Sequence, residues 1–254
     1  LAIDITATSA TIAESLANSG AVVTLASTGD AATVAGFTIS SGNTNGAFAV
    51  AAGGAVTVAD TTEIDYETAT SQTVVFTITD GSNAVTESVV ITFTDVNDND
   101  PVFTDGATGS CSSAEVVGCG TFAATDTDGT ATQTYSIVTV GNNGASVDHD
   151  LFAVAAGGVL TFSSAPDYEN LGCGANNDGA TCIVIIQVTD GANTDTITIT
   201  ATVTDLNEAT PTFTAGDTAA ANVAEVTTVG TYPATDTDGT ATQTYSIVTV
   251  GNNG

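Results

Sequence analysis

The sequence contains no lysine and no arginine among its 254 residues, whereas aspartate and glutamate together number 29. The formal net charge of −29 therefore comes from missing bases rather than from an excess of acids. Binding of DNA, RNA or an anionic lipid surface is excluded, since each of these requires basic side chains to meet phosphate. Clustered carboxylates can be held together only by metal ions, protons or hydrogen-bond donors.

Long apolar runs are also missing, and no stretch reaches the roughly 18 residues of a transmembrane helix, so we expect no membrane insertion in this segment. The single histidine, His149, lies between two aspartates, and we interpret it as a solvated loop residue rather than a metal or pH site. No serine lies in a nucleophile motif, and aromatic residues make up only 6% of the chain. We therefore expect a protein that is not an enzyme.

The four cysteines lack the spacing of a zinc finger, which predicts disulfides and an oxidising, extracellular compartment. Three pairings are possible, and we favour the two local pairs, Cys111–Cys119 and Cys173–Cys182, because each spans turn-like sequence. The first pair would also brace Glu115, but simple stapling of a loop is the interpretation that we favour.

Internal repeats dominate the organisation of the chain, since residues 124–144 recur letter for letter as residues 234–254. We predict a first repeat over 1–98, a second over 99–208 and the N-terminal half of a third over 209–254. Half a repeat cannot bury its own apolar strands. We expect a longer array that continues beyond this segment, with completion by a strand from another subunit as the alternative.

Alternation of apolar residues with threonine predicts strands over residues 197–204, 74–79 and 85–94, and residues 183–189 predict a strand that is buried almost continuously. Gly53-Gly54 interrupts such runs as a turn does. Helical spacing is missing. The pattern predicts an all-β protein of tandem immunoglobulin-like Greek-key sandwich repeats.

The acidic residues fall into motifs that follow the same order in each repeat. In the second repeat these are Glu115, Asp126-Thr127-Asp128, Asp167-Tyr168-Glu169, Thr189-Asp190-Gly191 and the linker Asp205-Leu206-Asn207-Glu208. The first repeat carries Glu14, Asp65-Tyr66-Glu67 and the linker Asp95-Val96-Asn97-Asp98-Asn99-Asp100-Pro101. Carboxylate, carboxamide and backbone oxygens are the ligands that Ca²⁺ prefers, so these motifs indicate calcium sites.

In order and composition, these motifs resemble the cadherin repeat over the whole chain. The resemblance implies several calcium ions, usually three, at each junction between repeats. The implied ligands at the first junction are Glu14, Asp65, Glu67, Asp95, Asn97, Asp98, Asp126, Asp128 and Asp190, with backbone oxygens of Val96, Asn99 and Asn142. The implied ligands at the second junction are Glu115, Asp167, Glu169, Asp205, Asn207, Glu208, Asp236 and Asp238.

Some positions depart from the cadherin pattern. The first repeat has Ala26-Ser27-Thr28-Gly29-Asp30 where an Asp-X-Asp pair is expected, so Asp80 has no usual partners and a full site there is not expected. Glu208 replaces an aspartate and lengthens one ligand. The lack of tryptophan excludes the tryptophan strand exchange of vertebrate adhesion cadherins, and the missing bases favour a microbial surface protein.

We therefore expect a calcium-rigidified extracellular structural or adhesive protein that forms a stalk, fibre or filament. Its expected partners are calcium ions, further copies of itself and other cell-surface proteins or glycans. One alternative is a calcium-dependent carbohydrate- or surface-binding module, although few aromatics are available for a binding platform. Another alternative is a self-polymerising filament subunit that uses strand complementation.

Overall fold

The computed structural model describes residues 3–7, 9–28, 36–79, 82–129, 132–139, 148–173, 181–216, 229–238 and 242–248. Over these residues the chain consists of β-strands and short 3-10 helices, without an α-helix, which confirms the all-β prediction. None of the helices in these ranges is long and apolar enough to cross a bilayer.

Two compact units make up the chain. The first contains Leu1–Pro101, Asp126–Thr132 and Asp190–Asn193, and the second contains Val102–Thr125, Gln133–Thr189 and Thr194–Gly254. Two short segments from the second predicted repeat thus belong to the first unit. The division into three repeats remains a prediction.

The described residues of the first unit form nine strands in three sheets. They are β1 (Asp4–Thr6), β2 (Ala10–Ala13), β3 (Ala21–Thr24), β4 (Ala26–Thr28), β5 (Phe37–Ser41), β6 (Phe48–Val50), β7 (Ala55–Val58), β8 (Ser71–Thr79) and β9 (Ala84–Thr94). A four-stranded sheet has the order β2-β9-β8-β5, a three-stranded sheet the order β3-β7-β6, and β1 pairs with β4. Strand β2 runs parallel to β9. Short 3-10 helices cover Thr44–Gly46 and Thr61–Glu63.

The core of the first unit lies between its two larger sheets. Strands β8 and β9 pair antiparallel and alternate between buried apolar residues and more exposed, mostly threonine, positions, as predicted. Val74, Phe76 and Ile78 point into the core, because successive side chains of a strand face opposite sides of the sheet. The ring of Phe93 on this sheet lies 6.5 Å from that of Phe48 on the other.

The second unit also contains a four-stranded and a three-stranded sheet. Its strands are β10 (Val102–Phe103), β11 (Thr108–Ser113), β12 (Gly118–Thr121), β13 (Ala124–Thr125), β14 (Thr134–Ile137), β15 (Phe152–Ala155), β16 (Val159–Phe162), β17 (Thr181–Thr189), β18 (Thr194–Val203), β19 (Thr212–Phe213) and β20 (Ala234–Thr235). The sheets have the orders β11-β18-β17-β14, β12-β16-β15, β10-β13 and β19-β20. Short 3-10 helices cover His149–Leu151, Ala156–Gly158 and Tyr168–Asn170.

Strand β17 differs from the prediction of nearly continuous burial over residues 183–189. Val184, Ile186 and Val188 are fully buried, whereas Ile183 and Ile185 are only half-buried. The prediction was wrong because β17 lies in an antiparallel part of the sheet, where one face packs on the core and the other faces outward.

Paired glycines form equivalent turns in the two units. Leu25 donates its N–H to the carbonyl of Gly54 at 2.8 Å, and Phe122 donates to Gly158 at 2.9 Å. Both glycines have positive φ, and a Cβ at either position would collide with the backbone of its partner. The predicted Gly53-Gly54 turn is therefore present, and glycine is required at its second position.

Both predicted disulfides are present. Cys111–Cys119 joins β11 to β12 with a Cα–Cα distance of 5.4 Å, and Cys173–Cys182 has a distance of 4.8 Å. Residues Cys173 and Cys182 are fully buried, so this bond lies within the core of the second unit.

The described residues beyond 209 repeat the opening of the second predicted repeat. Strand β19 pairs with β20 as β10 pairs with β13. Phe103 is 1% exposed, whereas Phe213 at the matching position is 50% exposed. The repeated sequence is therefore enough to pair these strands, but it does not determine whether the aromatic ring is buried.

Candidate metal centres

In the first unit, Glu14 fixes two of the predicted acidic motifs by hydrogen bonds. It directly follows β2 and is buried. One carboxylate oxygen accepts the N–H of Tyr66 at 2.6 Å, and the other accepts the N–H of Val96 at 2.7 Å. Since Tyr66 lies between Asp65 and Glu67, one side chain anchors both this motif and the linker.

The predicted acids of the first unit meet in overlapping groups of three. Within each group, carboxylate oxygens lie within 4.8 Å of one another. The groups are Glu14 with Glu67 and Asp98, Glu67 with Asp95 and Asp128, and Asp126 with Asp128 and Asp190. A cleft of about 330 Å³ is lined by residues that include Glu14, Asp65, Glu67, Asp98 and Asn99.

The carboxylate of Asp65 is held by a neighbouring threonine, and not by the other acids of this cluster. Its two carboxylate oxygens accept the N–H and the hydroxyl of Thr68, at 3.0 and 2.8 Å. These hydrogen bonds lower its pKa, with the hydroxyl contributing most. Asp65 lines the cleft while its oxygens are held by a local turn.

The linker carboxamides hold Asp128 and Asp190 by hydrogen bonds. Asn99 donates its backbone N–H to one oxygen of Asp128 and its side-chain N–H to the other, both at 2.8 Å. Asn97 donates its side-chain N–H to the backbone oxygen of Asp190 at 3.2 Å. Asn193, which the sequence analysis missed, donates its side-chain N–H to the backbone oxygen of Asn99 at 2.9 Å.

A signal for Asn193 was present in the sequence. An asparagine follows Asp-Gly at the same spacing in the first repeat, as Asn83, so the motif extends two residues beyond the predicted one. Asp30, Asp80 and the predicted backbone ligand Asn142 lie outside the described residues.

Asp190 and Asn97 of the first cluster each have an enclosed oxygen atom without a hydrogen-bond partner. Asp190 is 8% exposed, and one of its oxygens accepts the N–H groups of Ala192 and Asn193, each at 2.7 Å. Its other oxygen and the side-chain oxygen of Asn97 have no partner and no solvent contact. Enclosed oxygens of this kind are costly unless a donor or a cation meets them.

Electrostatics in the first cluster reflect the crowding of like charges. Loss of hydration, reinforced by the negative charges of Glu14 and Asp128, raises the pKa of Glu67. The same causes raise the pKa of Asp98. The backbone N–H of Asn193 instead lowers the pKa of Asp190. A cation placed among these groups would therefore encounter a strongly negative potential.

The second unit contains a cluster built in the same way. Glu115 accepts the N–H of Tyr168 at 2.9 Å and the N–H of Leu206 at 2.7 Å. Its carboxylate lies within 4.8 Å of those of Asp167 and Glu169. Asp167 also accepts the N–H of Asn170 at 3.1 Å and caps the 3-10 helix there.

The linker end of the second cluster is centred on Asp238, which is 1% exposed. One oxygen of Asp238 accepts the N–H of Ala209 at 2.8 Å, and the other has no hydrogen-bond partner. Asp236 accepts the N–H of Asp238 at 3.2 Å. Asn207 is exposed and, together with Asp236, lines a cleft of about 390 Å³.

Glu208 and Glu169 show the charge of the second cluster most clearly. Although Glu208 is exposed over much of its surface, loss of hydration, with the negative charge of Glu115, raises its pKa to about 7. The pKa of Glu169 is raised by loss of hydration and by the charge of Asp205. Asp205 and Glu208 thus each lie within electrostatic reach of Glu169.

Another group of potential ligands cannot bind a metal in this state. Asp148 lies within 4.8 Å of Cys173 and Cys182, but the two sulfurs are joined in a disulfide. His149 next to it contacts Asp150 at 3.2 Å and is 30% exposed.

Comparison with known proteins identifies the fold. No protein-family model and no curated protein matches the sequence. The mouse cadherin-23 fragment EC22–24 is 20% identical with a TM-score of 0.66, and the alignment covers 93% of this chain and 78% of that one. Protocadherin gammaB7 EC3–6 is 19% identical with a TM-score of 0.69, over 93% and 61%.

A third solved structure, Drosophila N-cadherin EC1–4, is 19% identical with a TM-score of 0.63, and the alignment covers 81% of this chain. The chain spans only half of that structure. The three structures share a β-sandwich built in tandem, and at these identities the similarity concerns the fold. The chain has the fold of cadherin ectodomain repeats.

Proposed function

We propose that the chain is a calcium-rigidified extracellular structural or adhesive repeat protein that forms a stalk, fibre or filament on a microbial surface. The observation that carries the proposal is the pair of enclosed carboxylate oxygens, one on Asp190 and one on Asp238, that no hydrogen-bond donor meets. The chain has no lysine or arginine that could neutralise them. A bound cation is the partner that these oxygens lack.

The chemistry of the donor set favours calcium. Both clusters consist of carboxylate, carboxamide and backbone oxygens, and their acidic triads contain neither histidine nor cysteine. Hard cations with about 6–8 oxygen ligands bind such sets, whereas zinc and copper select nitrogen and sulfur.

The ligands that we assign combine both clusters with their linkers. In the first they are Glu14, Asp65, Glu67, Asp95, Asn97, Asp98, Asp126, Asp128 and Asp190, with backbone oxygens of Val96 and Asn99. In the second they are Glu115, Asp167, Glu169, Asp205, Asn207, Glu208, Asp236 and Asp238. Bound calcium would supply positive charge, and these residues would orient it against the linker.

Calcium would change the mechanics of each linker. Without cations, the clustered carboxylates repel one another, as the raised pKa values of Glu67 and Glu208 indicate. With cations, the same carboxylates attract a common centre, and the linker residues Asp95 and Asp98 are held to it. The array would then be stiff at high calcium and flexible at low calcium.

The location follows from covalent chemistry and from the fold. Two disulfides in one chain are typical of an oxidising compartment. The similar solved structures are cadherin ectodomain fragments, and one of them is a cis-dimer, which supports self-association as a mode of adhesion. The missing bases support a microbial rather than an animal source. No catalytic role is proposed.

Calcium titration of the purified chain by calorimetry tests the proposal. We expect saturable binding at or below the order of 1 mM, the range of extracellular calcium modules. Asp190→Asn should weaken binding at least tenfold at the first cluster. Asp105→Asn, which removes an exposed acid outside both clusters, should leave it unchanged. Equal effects of the two substitutions would contradict a specific site.

Small-angle X-ray scattering with and without chelator tests the mechanical part. The maximum dimension and the rigidity of the particle should both fall when calcium is removed. An unchanged scattering profile, despite calcium binding in the titration, would leave a calcium-binding protein that calcium does not stiffen.

A further inference from the structure

The two linkers present different residues to identical aspartate loops. Residues 124–144 and 234–254 have the same sequence, so Asp128 and Asp238 occupy equivalent loops. Both carboxylates are almost fully buried, at 2% and 1% exposure. Each of these aspartates donates its backbone N–H to a carboxylate oxygen of the aspartate two residues earlier, at 3.0 and 3.2 Å. The residues of the linker that meet the two loops, by contrast, differ in sequence.

The linker residue that faces these loops is Asn99 in the first case and Ala209 in the second. Asn99 covers both oxygens of Asp128, one with its backbone N–H and one with its side-chain N–H. Ala209 covers one oxygen of Asp238 with its backbone N–H at 2.8 Å, and the second oxygen has no hydrogen-bond partner. The first arrangement therefore has a side-chain donor that the second lacks.

We propose that the Asn99 side chain is a metal-independent latch, which holds the first linker on Asp128 when cations are absent, and that the second linker lacks this latch. Two donors in a fork fix the carboxylate in position and orientation, as a single donor does not. A buried charged oxygen left without a donor instead disfavours the closed arrangement until a cation reaches it.

A second carboxamide supports the latch. Asn193 donates its side-chain N–H to the backbone oxygen of Asn99 at 2.9 Å, and its backbone N–H goes to Asp190. Asn99 is therefore held from two sides, by Asp128 and by Asn193, using groups that remain when cations are removed. Its side chain is half-buried, which protects these hydrogen bonds from exchange with water.

If only the first linker has this latch, the two linkers should detach in a fixed order when cations are removed. As cations are withdrawn, the linker at Ala209 should lose its contact with Asp238 first, while the linker at Asn99 stays attached to Asp128. An array built of both linker types would soften at defined positions rather than uniformly. This inference concerns the metal-free chain and does not depend on which cation binds.

Residue-resolved amide hydrogen exchange of the full chain in excess EGTA tests the inference. In the wild type, the backbone N–H of Asn99 should exchange at least about tenfold more slowly than that of Ala209. The additional hydrogen bond from the Asn99 side chain to the charged Asp128 is worth at least this factor. Asn99→Ala should remove the difference. Ala209→Asn should slow exchange at position 209 to a similar degree.

Two controls separate the latch from general effects. Thr210→Asn adds the same carboxamide at the adjacent exposed position and should not slow exchange at Ala209. The amides of Val184 and Ile199, in the core sheet, report whether each variant is folded. Equal exchange at Asn99 and Ala209 in the wild type would overturn the latch, and so would an Ala209→Asn variant, folded by these core amides, that exchanges like the wild type.

Discussion

Glu14 and Glu115 make the same two hydrogen bonds from two differently built loops. Each accepts the N–H of the tyrosine in an Asp-Tyr-Glu motif and the N–H of the second linker residue. Glu115 does so from a backbone with a φ of 52° in a loop closed by Cys111–Cys119. The two units therefore share the hydrogen bonds of this carboxylate and not the disulfide-closed loop that carries it.

Glu14→Gln should therefore destabilise the chain even without metal. The glutamine side chain has one oxygen and one NH₂ group, so it can accept from only one of the two N–H donors, Tyr66 or Val96. The other N–H would be left without an acceptor beside the buried side chain. We expect a loss of about 1–3 kcal/mol in the free energy of unfolding, measured by urea denaturation. Glu87→Gln on β9 is the matched control and should change it by less than about 0.5 kcal/mol. Equal losses would show that Glu14 anchors nothing.

Asp238→Asn should act with opposite signs in the presence and absence of calcium. In chelator it removes a buried, uncompensated charge and should raise the unfolding free energy by about 1 kcal/mol. In saturating calcium it should lower it, because a ligand is lost. Thermal unfolding under both conditions measures this, and a substitution that destabilises in both would contradict the assignment of Asp238 as a ligand.

The metal-free chain should become less stable as pH rises between 4.5 and about 7. The pKa of Glu208 in the folded chain is raised from 4.5 to about 7, so the folded state binds more protons than the unfolded state in this window. Its contribution is fully present below 4.5 and is lost as pH rises through about 7. Unfolding in chelator across this range measures the slope, and Glu208→Gln should flatten it. A slope of opposite sign in the wild type would be inconsistent with crowded carboxylates.

Removal of each disulfide should cost about 2.5 kcal/mol by loop-closure entropy, since the two loops have similar lengths. The sequence alone favoured simple stapling of the first loop, but Glu115 has a φ of 52° inside it. The paired substitution Cys111→Ser with Cys119→Ser should therefore also weaken calcium binding at the second cluster. The pair Cys173→Ala with Cys182→Ala should lower stability without this effect. Calcium affinity that is the same in both variants would support simple stapling of the loop.

Features that depend on short stretches of sequence could be predicted. Alternation in β8 and β9 predicted both strands, and the short spacing of the cysteines predicted both disulfides. The outward face of β17 was missed because Ile183 and Ile185 are apolar and yet half-buried, and only the sheet decides which face meets the core.

The hydrogen bonds of the clusters could not be predicted in the same way. Asn99 meets Asp128 and Asn193 across long stretches of chain, and residue type does not reveal which donor reaches which oxygen. The order of the motifs predicted which acids would cluster, and Glu14, Glu67 and Asp98 do lie together. The assignment of each acid as a calcium ligand remains a proposal.

A crystal structure grown in saturating calcium, with anomalous differences recorded, tests the central claim most directly. We expect anomalous peaks between the carboxylates of Asp128 and Asp190 and beside Asp238, with oxygen ligands at about 2.3–2.6 Å. Water or empty space at these positions, with the carboxylates turned outward, would contradict it.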